Sequence, residues 1–384
     1  MKRWPAHAVA KLAAGTRRAA YVCSKAAQAF LRGATGCERV FRSGSARAAA
    51  GVRTGLSIAV VLSGGAAGAC ARPPEPVRDL DLPRYYGDRA GVTIDAARFA
   101  AHQAAKKRFV HFVRSVAAEA DRAWSAARPQ DRDSSARCAV DWLDAWAAGG
   151  AYLGASAAKQ AEYQRNWDAA GLALAFLKVR AAASPERRAR ISAWLRALAA
   201  RARADLVQPG RKRNNHYYWL GLTHAAVAMA AEDPAAWAVA EEIYGAALEA
   251  IRPDGTLPLE LERGSRALHY HLLAASPLVM TAELAAARGE DWYAKKGGAL
   301  HRLTRLALRG AADPAWFEAQ VGVAQARPVA RQAGWARLYL KRFPDTTAPS
   351  DVKRGHRLLG GDVDLLQRAL RRTFDPPSDR SGAP

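Results

Sequence analysis

Pro and Gly divide the chain from Ala96 to about residue 373 into segments of roughly 12–20 residues, none of which alternates apolar and polar residues long enough for a strand. Helix follows helix instead. One or two amphipathic helices are expected over 96–127, closing before Pro129, then others over 134–149 and 156–182. Ser184-Pro185 caps a helix running to about Leu206, and another follows Asn214–Trp219 to Met229. Asp233-Pro234 starts a helix that ends at 252–255, and Ser276-Pro277 starts one that ends at Gly289. Further patches fall at 291–310, 326–343 and 362–373. The fold class read from this pattern is all-α, made of antiparallel helical hairpins. An α/α toroid, a repeat stack and a bundle array share the pattern, but no fixed-period repeat supports a solenoid.

Length and charge limit the partners. With 384 residues, half of them apolar, the chain can bury a large core. Its formal charge of +23 is shared unevenly: residues 1–71 hold eleven Lys or Arg and one Glu, and a surplus of thirteen positive charges remains beyond them. A basic domain suits an acidic polymer, nucleic acid or an anionic membrane. No recognised nucleic-acid motif accompanies the charge, so that class is set aside.

Residues 1–50 form a basic Arg/Ala-rich extension, expected to be disordered or a mis-assigned start, with translation beginning near Val52. Residues 51–71 read as a secretory signal. Arg53 precedes an apolar run from Leu56 to Leu62, and Ala69-Cys70-Ala71 supplies the small residues at the cut. The run is too short to span a bilayer, so no stable membrane insertion is expected. A basic tail ahead of a buried apolar segment is the plainer alternative. Cys70 permits a lipoprotein reading, although Ala67 stands where a lipid-attachment box usually has Leu. With the cut near Ala71, Cys138 alone of the four cysteines remains, which leaves no intrachain disulfide and makes Cys138 a small buried apolar residue. A periplasmic domain over 72–375 and a disordered tail over 376–384 complete the division.

Two stretches hold the chemistry: Arg213–Trp219 (RNNHYYW) and Leu257–His271 (LPLELERGSRALHYH). Asn214 and Asn215 follow a basic turn and precede an apolar run, the setting of a helix N-terminus that favours an anion. Arg263 and Tyr270 stand seven apart, two turns on one helical face, with Arg266 close by. Glycoside hydrolysis wants two carboxylates flanking the bond, and only Glu260 and Glu262 are candidates. β-Elimination at a uronate needs donors that neutralise the C6 carboxylate, a base for the C5 proton and an acid for O4. An Asn of the first stretch (Asn214 or Asn215), His216 and an Arg of the second (Arg263 or Arg266) suit the first task, and Tyr270 the acid and perhaps the base.

The sequence resembles the alginate lyases of polysaccharide lyase family 5 over most of residues 84–364. The resemblance lies in NNHYYW (Asn214 to Trp219), the R-A-L-x-Y-H pattern within Leu257–His271, CAVDWLDAW (Cys138 to Trp146) and RLLGGDV (Arg357 to Val363). It implies an incomplete α/α toroid, no cofactor and no metal, and periplasmic cleavage of mannuronate-rich alginate. The implied catalytic residues are Asn215, His216, Arg263 and Tyr270. Where the family has Lys-Tyr-x-Gly on a loop over the groove, this chain has Arg84-Tyr85-Tyr86-Gly87. Arg keeps the charge with a different shape. Tyr217 replaces a common Ser, and His269 a small residue.

Arg84, Tyr85 and Arg266 are therefore expected to bind substrate, with Trp142, Trp146 and Trp219 offering stacking faces to sugars. Each has a plainer reading beside it. The tryptophans suit a helical core, Arg263 a solvated charge, and Tyr270 a core position. His269 and His271 point apart on a helix and make no metal pair. The expected partner is an acidic polysaccharide bound by a monomer. A lyase for another acidic exopolysaccharide and a non-catalytic exported polyuronate-binding protein are the rival functions.

Overall fold

The computed structural model describes residues 70–88, 92–326, 334–346 and 355–374. The basic extension, the signal segment up to residue 69 and the tail beyond 374 lie outside the described residues. Thirteen α-helices run through the described part: α1 Ala96–Ala105, α2 Lys107–Ser125, α3 Pro129–Ala148, α4 Lys159–Val179, α5 Pro185–Leu206, α6 Asn215–Ala231, α7 Pro234–Ala250, α8 Pro258–Leu261, α9 Ala267–Ala286, α10 Lys295–Ala312, α11 Ala315–Val321, α12 Ala336–Arg342 and α13 Val363–Phe374.

Four hairpins carry the architecture. Helices α2, α4, α6 and α9 pack one against the next as an inner layer, and α3, α5, α7 and α10 cover them from outside. The result is an incomplete α/α toroid. Composition decides which helix goes where. A helix apolar on every side can only sit inside, and every residue of α6 except His216 is buried. The outer helices keep charged faces, tied by exposed pairs such as Arg190–Asp144 at 2.7 Å. At ~0–1 kcal/mol each, such pairs trim the surface and do not hold the fold. Close approach of the layers needs glycine at one point: a Cβ on Gly221 would meet Ile243 Cγ2 at 2.9 Å.

Three sequence expectations are corrected. Helix α3 begins at Pro129, not at 134, with proline in the first turn where its missing N–H costs nothing. Pro277 does not start a helix; it lies inside α9. An interior proline frees the carbonyl four residues earlier, here that of Leu273. Trp219 Nε1 donates to that oxygen at 3.1 Å, so α6 repairs the break in α9.

The third correction concerns cysteine. Cys70 and Cys138 form a disulfide, with Cα atoms 5.4 Å apart. The expectation of a lone Cys138 assumed a cut beyond Cys70. The segment that follows Cys70 is laid along the outer layer: Trp142 Nε1 donates to Ala71 O at 2.6 Å and Trp146 Nε1 to Pro74 O at 2.8 Å. Leu80 then bridges in parallel to Ser156.

The RLLGGDV stretch folds as a short antiparallel pair, β1 Gly355–His356 and β2 Gly361–Asp362, around a 3₁₀ turn. It is anchored on α4. Buried Lys178 bonds Asp121 and the Gly360 carbonyl, and Asp121 also accepts from Asp362 N at 3.0 Å. Backbone crowding fixes Gly360, whose φ is +73° and whose Cβ would meet Leu174 Cβ at 2.6 Å.

Candidate active site

The N-terminal ends of α4, α6 and α9 supply the cluster, together with the loop over 251–266 and the segment Arg84–Asp88. Asn214 is the N-cap of α6, its side chain accepting from His216 N at 3.1 Å. That cap turns the next residue inward. Asn215 is fully buried, and its backbone N donates to Glu260 Oε1 at 2.8 Å. Its Nδ2 lies 3.1 and 3.2 Å from the two Glu260 oxygens, while its Oδ1 is buried with no hydrogen-bond partner among the described residues. Burial pushes the Glu260 carboxyl up to about 7, although the Asn215 bonds and the Arg263 charge pull the other way.

Glu260 sits on α8, a single turn opened by Pro258. His271 holds that loop in place. Its Nε2 accepts from Leu257 N at 3.0 Å and its Nδ1–H donates to Ala267 O at 2.8 Å. Burial depresses it to about 4, so it stays neutral.

His216 stacks on Tyr163 of α4, ring centroids 3.5 Å apart and planes within 6°. Trp167 lies one turn along the same helix, its ring centroid 5.5 Å from that of His216. The His216 Nδ1 is buried without a hydrogen-bond partner among the described residues. Burial first, then the charges of Arg263 and Arg211, depress its pKa to about 3. His216 is therefore a neutral imidazole across the physiological range. Asn166 Nδ2 donates to the His216 carbonyl at 3.4 Å, which ties α4 to the start of α6.

Arg263 and Tyr270 meet, but not by two helical turns. A 3₁₀ turn over Gly264–Arg266 breaks the helix between them. The Arg263 guanidinium then lies 3.9 Å from the Tyr270 ring centroid, with that of Arg266 at 5.0 Å. Arg266 Nη1 donates to Tyr86 Oη at 2.9 Å, and its Nη2 meets His269 Nε2 at 3.0 Å. Burial and the two guanidinium groups hold His269 down at about 3, so it is neutral and accepts that bond.

Tyr86 is the residue that sequence reasoning missed. Its hydroxyl is 2.9 Å from Tyr270 Oη and 3.2 Å from Tyr85 Oη. Burial raises the Tyr270 phenol, and the adjacent Tyr86 adds to that rise. For Tyr86, burial works upward too, but the Arg266 charge and three converging hydrogen bonds outweigh it and set it below the ordinary phenol value. Three linked phenols share their protons as a unit, and Tyr86 is where a negative charge is best tolerated.

The remaining expected residues divide. Tyr85 is partly buried, its ring centroid 5.4 Å from that of Phe99 and 4.8 Å from that of His102, and it reaches the cluster only through Tyr86. Arg84 is exposed and turned to the carbonyl of Asp88. Trp142, Trp146 and Trp219 are not stacking faces: all three are buried. Trp146 stacks at 3.5 Å on Phe112 and Trp219 is spent on Leu273. The hydrolase pair also separates. Glu260 is buried, whereas Glu262 is exposed and paired with Lys212 at 2.9 Å.

Tyr163, Trp167 and Glu260 complete the cluster beyond the residues expected to act in it. Tyr163 and Trp167 carry the i, i+4 spacing of a shared helical face, but nothing in the sequence aims that face at His216.

Comparison with known proteins identifies the family. The family model described as alginate lyase matches residues 73–317. A polysaccharide lyase of Stenotrophomonas maltophilia is 40% identical over 326 residues, covering 82% of this chain and 96% of the relative. An alginate lyase of Pseudomonas fluorescens is 31% identical over 265 residues, covering 66% of this chain and 69% of the relative. Among solved structures, alginate lyase A1-III complexed with a tetrasaccharide superposes with a TM-score of 0.67 at 23% identity, over 78% of this chain and 86% of that one. The structural likeness speaks for the toroid, and the family model spans the helices that build the cluster. The chain belongs to the alginate lyase family of polysaccharide lyases.

Proposed function

We propose that the protein cleaves mannuronate-rich alginate by β-elimination, leaving oligosaccharides with an unsaturated uronate at the non-reducing end. The observation that carries the reading is the Tyr86–Tyr270 phenol pair, 2.9 Å apart beneath the guanidinium groups of Arg263 and Arg266. Elimination needs a group that takes the C5 proton and returns one to O4. In β-mannuronate that proton and O4 lie on the same side of the ring, so one phenol can serve both. Tyr270, with its pKa raised, is protonated at rest. When Tyr86 is ionised beside Arg266, its phenolate takes the Tyr270 proton. The Tyr270 phenolate so formed removes the C5 proton and delivers it to O4 as the C4–O4 bond breaks, and Tyr86 then returns its proton.

Asn215, neutral His216 and Arg263 stabilise the charge that develops on the C6 carboxylate. A neutral imidazole serves here by donating a hydrogen bond. The separation of Glu260 from Glu262 tells against glycoside hydrolysis. A lyase for another acidic exopolysaccharide is the second reading, favoured by His269 against Arg266 and by Arg84 turned out of the cluster.

Export is part of the proposal. A disulfide to Cys138 keeps Cys70 in the mature chain, so the cut proposed is one after Ala67-Gly68-Ala69 in place of one near Ala71. A sulfur held by Cys138 cannot also carry a lipid, and the periplasm permits the disulfide.

The test is to incubate the protein with polymannuronate, polyguluronate, hyaluronan and heparin and follow ultraviolet absorbance of the new C4=C5 bond. The proposal expects the fastest rise on polymannuronate. Binding of polymannuronate with no rise on any polymer would leave a non-catalytic polyuronate-binding protein.

A further inference from the structure

The Asn215 side chain presents a contradiction. A uronate carboxylate needs hydrogen-bond donors, yet Nδ2 is committed to Glu260 and the end left over is Oδ1, buried and without a partner among the described residues. An acceptor facing a carboxylate repels it. That orientation is the one an ionised Glu260 demands, since a carboxylate can only accept.

A neutral Glu260 reverses the demand. Its Oε1 still accepts from Asn215 N at 2.8 Å, which keeps the carboxyl in place. Its other oxygen, now O–H, needs an acceptor where Nδ2 now lies, 3.2 Å away. Half a turn about the Asn215 Cβ–Cγ bond puts Oδ1 there and frees both Nδ2 hydrogens. We infer that Glu260 is a positioning residue that acts through Asn215: in its neutral form it turns the amide so that Nδ2 faces the substrate carboxylate. The inference rests on the uronate-lyase reading above.

The surroundings support it. Glu260 is 1% exposed and titrates at about 7, so both forms are populated near neutrality. The groups acting on it are Arg263 and Glu262 from its own loop and Asn215 and Tyr218 from α6. On the α9 side, His271 is already spent on Leu257 and Ala267. An ionised Glu260 also competes with substrate for the Arg263 charge. A neutral one leaves that charge to the uronate.

The experiment compares kcat/KM of the wild type and Glu260→Gln on polymannuronate from pH 5.5 to 8.5. Glutamine is a permanently neutral mimic, its amide N–H donating to Oδ1 as the protonated acid would. The wild type is expected to fall on the alkaline side, and the variant to lose that limb, ending about 30-fold above the wild type at pH 8.5 for a group titrating at about 7. Most of the difference should lie in KM, because the carboxylate is held in the ground state too. An unchanged limb in the variant, or a folded variant inactive at every pH, overturns the inference.

A second measurement needs neither substrate nor variant. In the wild type, the Asn215 side-chain ¹⁵NH₂ resonance should shift between pH 5.5 and 8.5 as the amide exchanges partners, and a constant signal overturns the inference. Should the wild type prove inert on every uronate polymer, the lyase reading fails, and this resonance still decides whether Glu260 turns the amide.

Discussion

Tyr86→Phe is the substitution that tests the phenol pair most sharply. It removes one oxygen and keeps the ring whose centroid lies 4.4 Å from that of Tyr85. That oxygen joins Tyr270 at 2.9 Å, Arg266 at 2.9 Å and Tyr85 at 3.2 Å. Arg266 keeps its bond to His269, whereas Tyr270 and Tyr85 lose the partner described for each hydroxyl. Leaving two partly dry hydroxyls unpaired costs about 1–3 kcal/mol of stability, at the low end if the site is wet. The kinetic effect should be larger. Without Tyr86 the Tyr270 proton has nowhere to go, and burial alone keeps the phenol protonated. A loss of about 100-fold in kcat, or about 2.7 kcal/mol, is expected, with KM within about 3-fold. Steady-state absorbance kinetics give both constants, and thermal unfolding gives the stability. Wild-type kcat in a folded Tyr86→Phe protein would refute the proton path through this pair.

Tyr270→Phe should lose more than about 1,000-fold in kcat while still binding polymannuronate by calorimetry, because it removes the group proposed to take the C5 proton and protonate O4. Trp219→Phe should lower stability by about 1–3 kcal/mol in urea unfolding, since the Leu273 carbonyl freed by Pro277 would then be buried and unpaired. Cys138→Ser should cost about 4 kcal/mol in the oxidised protein, the loop entropy for a sequence separation of 68 residues; the reduced wild type should unfold like the variant. Stability should also fall as pH drops below about 6.5. There the unfolded chain protonates His271, while the folded chain refuses the proton until about 4, so acid favours the unfolded state by up to about 3 kcal/mol for that residue. Denaturant midpoints from pH 7 to pH 4 check this, with His271→Gln expected to flatten the slope.

What could be read in advance follows the range of the interactions. Caps are local, and Ser184, Asp233 and Asn214 each begin a helix as their side chains dictate. The layering is nearly as legible, since a helix without a polar face has nowhere to go but inside. Pro277 misled because the compensating donor, Trp219, lies on another helix. The same long reach hid Tyr86, which is 184 residues from Tyr270, and the stacking of His216 on Tyr163. Arg263 and Tyr270 meet across a 3₁₀ turn, a geometry that helical spacing does not give. Trp142 and Trp146 were assigned to sugar because an indole face looks the same on paper whether it meets a sugar or a neighbouring ring.

The most direct test of the central claim is the fate of water during cleavage. Polymannuronate digested by the protein in oxygen-18 water should give oligosaccharides that carry no label beyond the exchange of the reducing-end oxygen seen in uncleaved oligomers. With that exchange allowed for, their masses should sum to that of the parent chain, and their new ends should absorb in the ultraviolet. One labelled oxygen gained per cut, carried by one of the two products and without ultraviolet absorbance, would mean hydrolysis and would contradict the account.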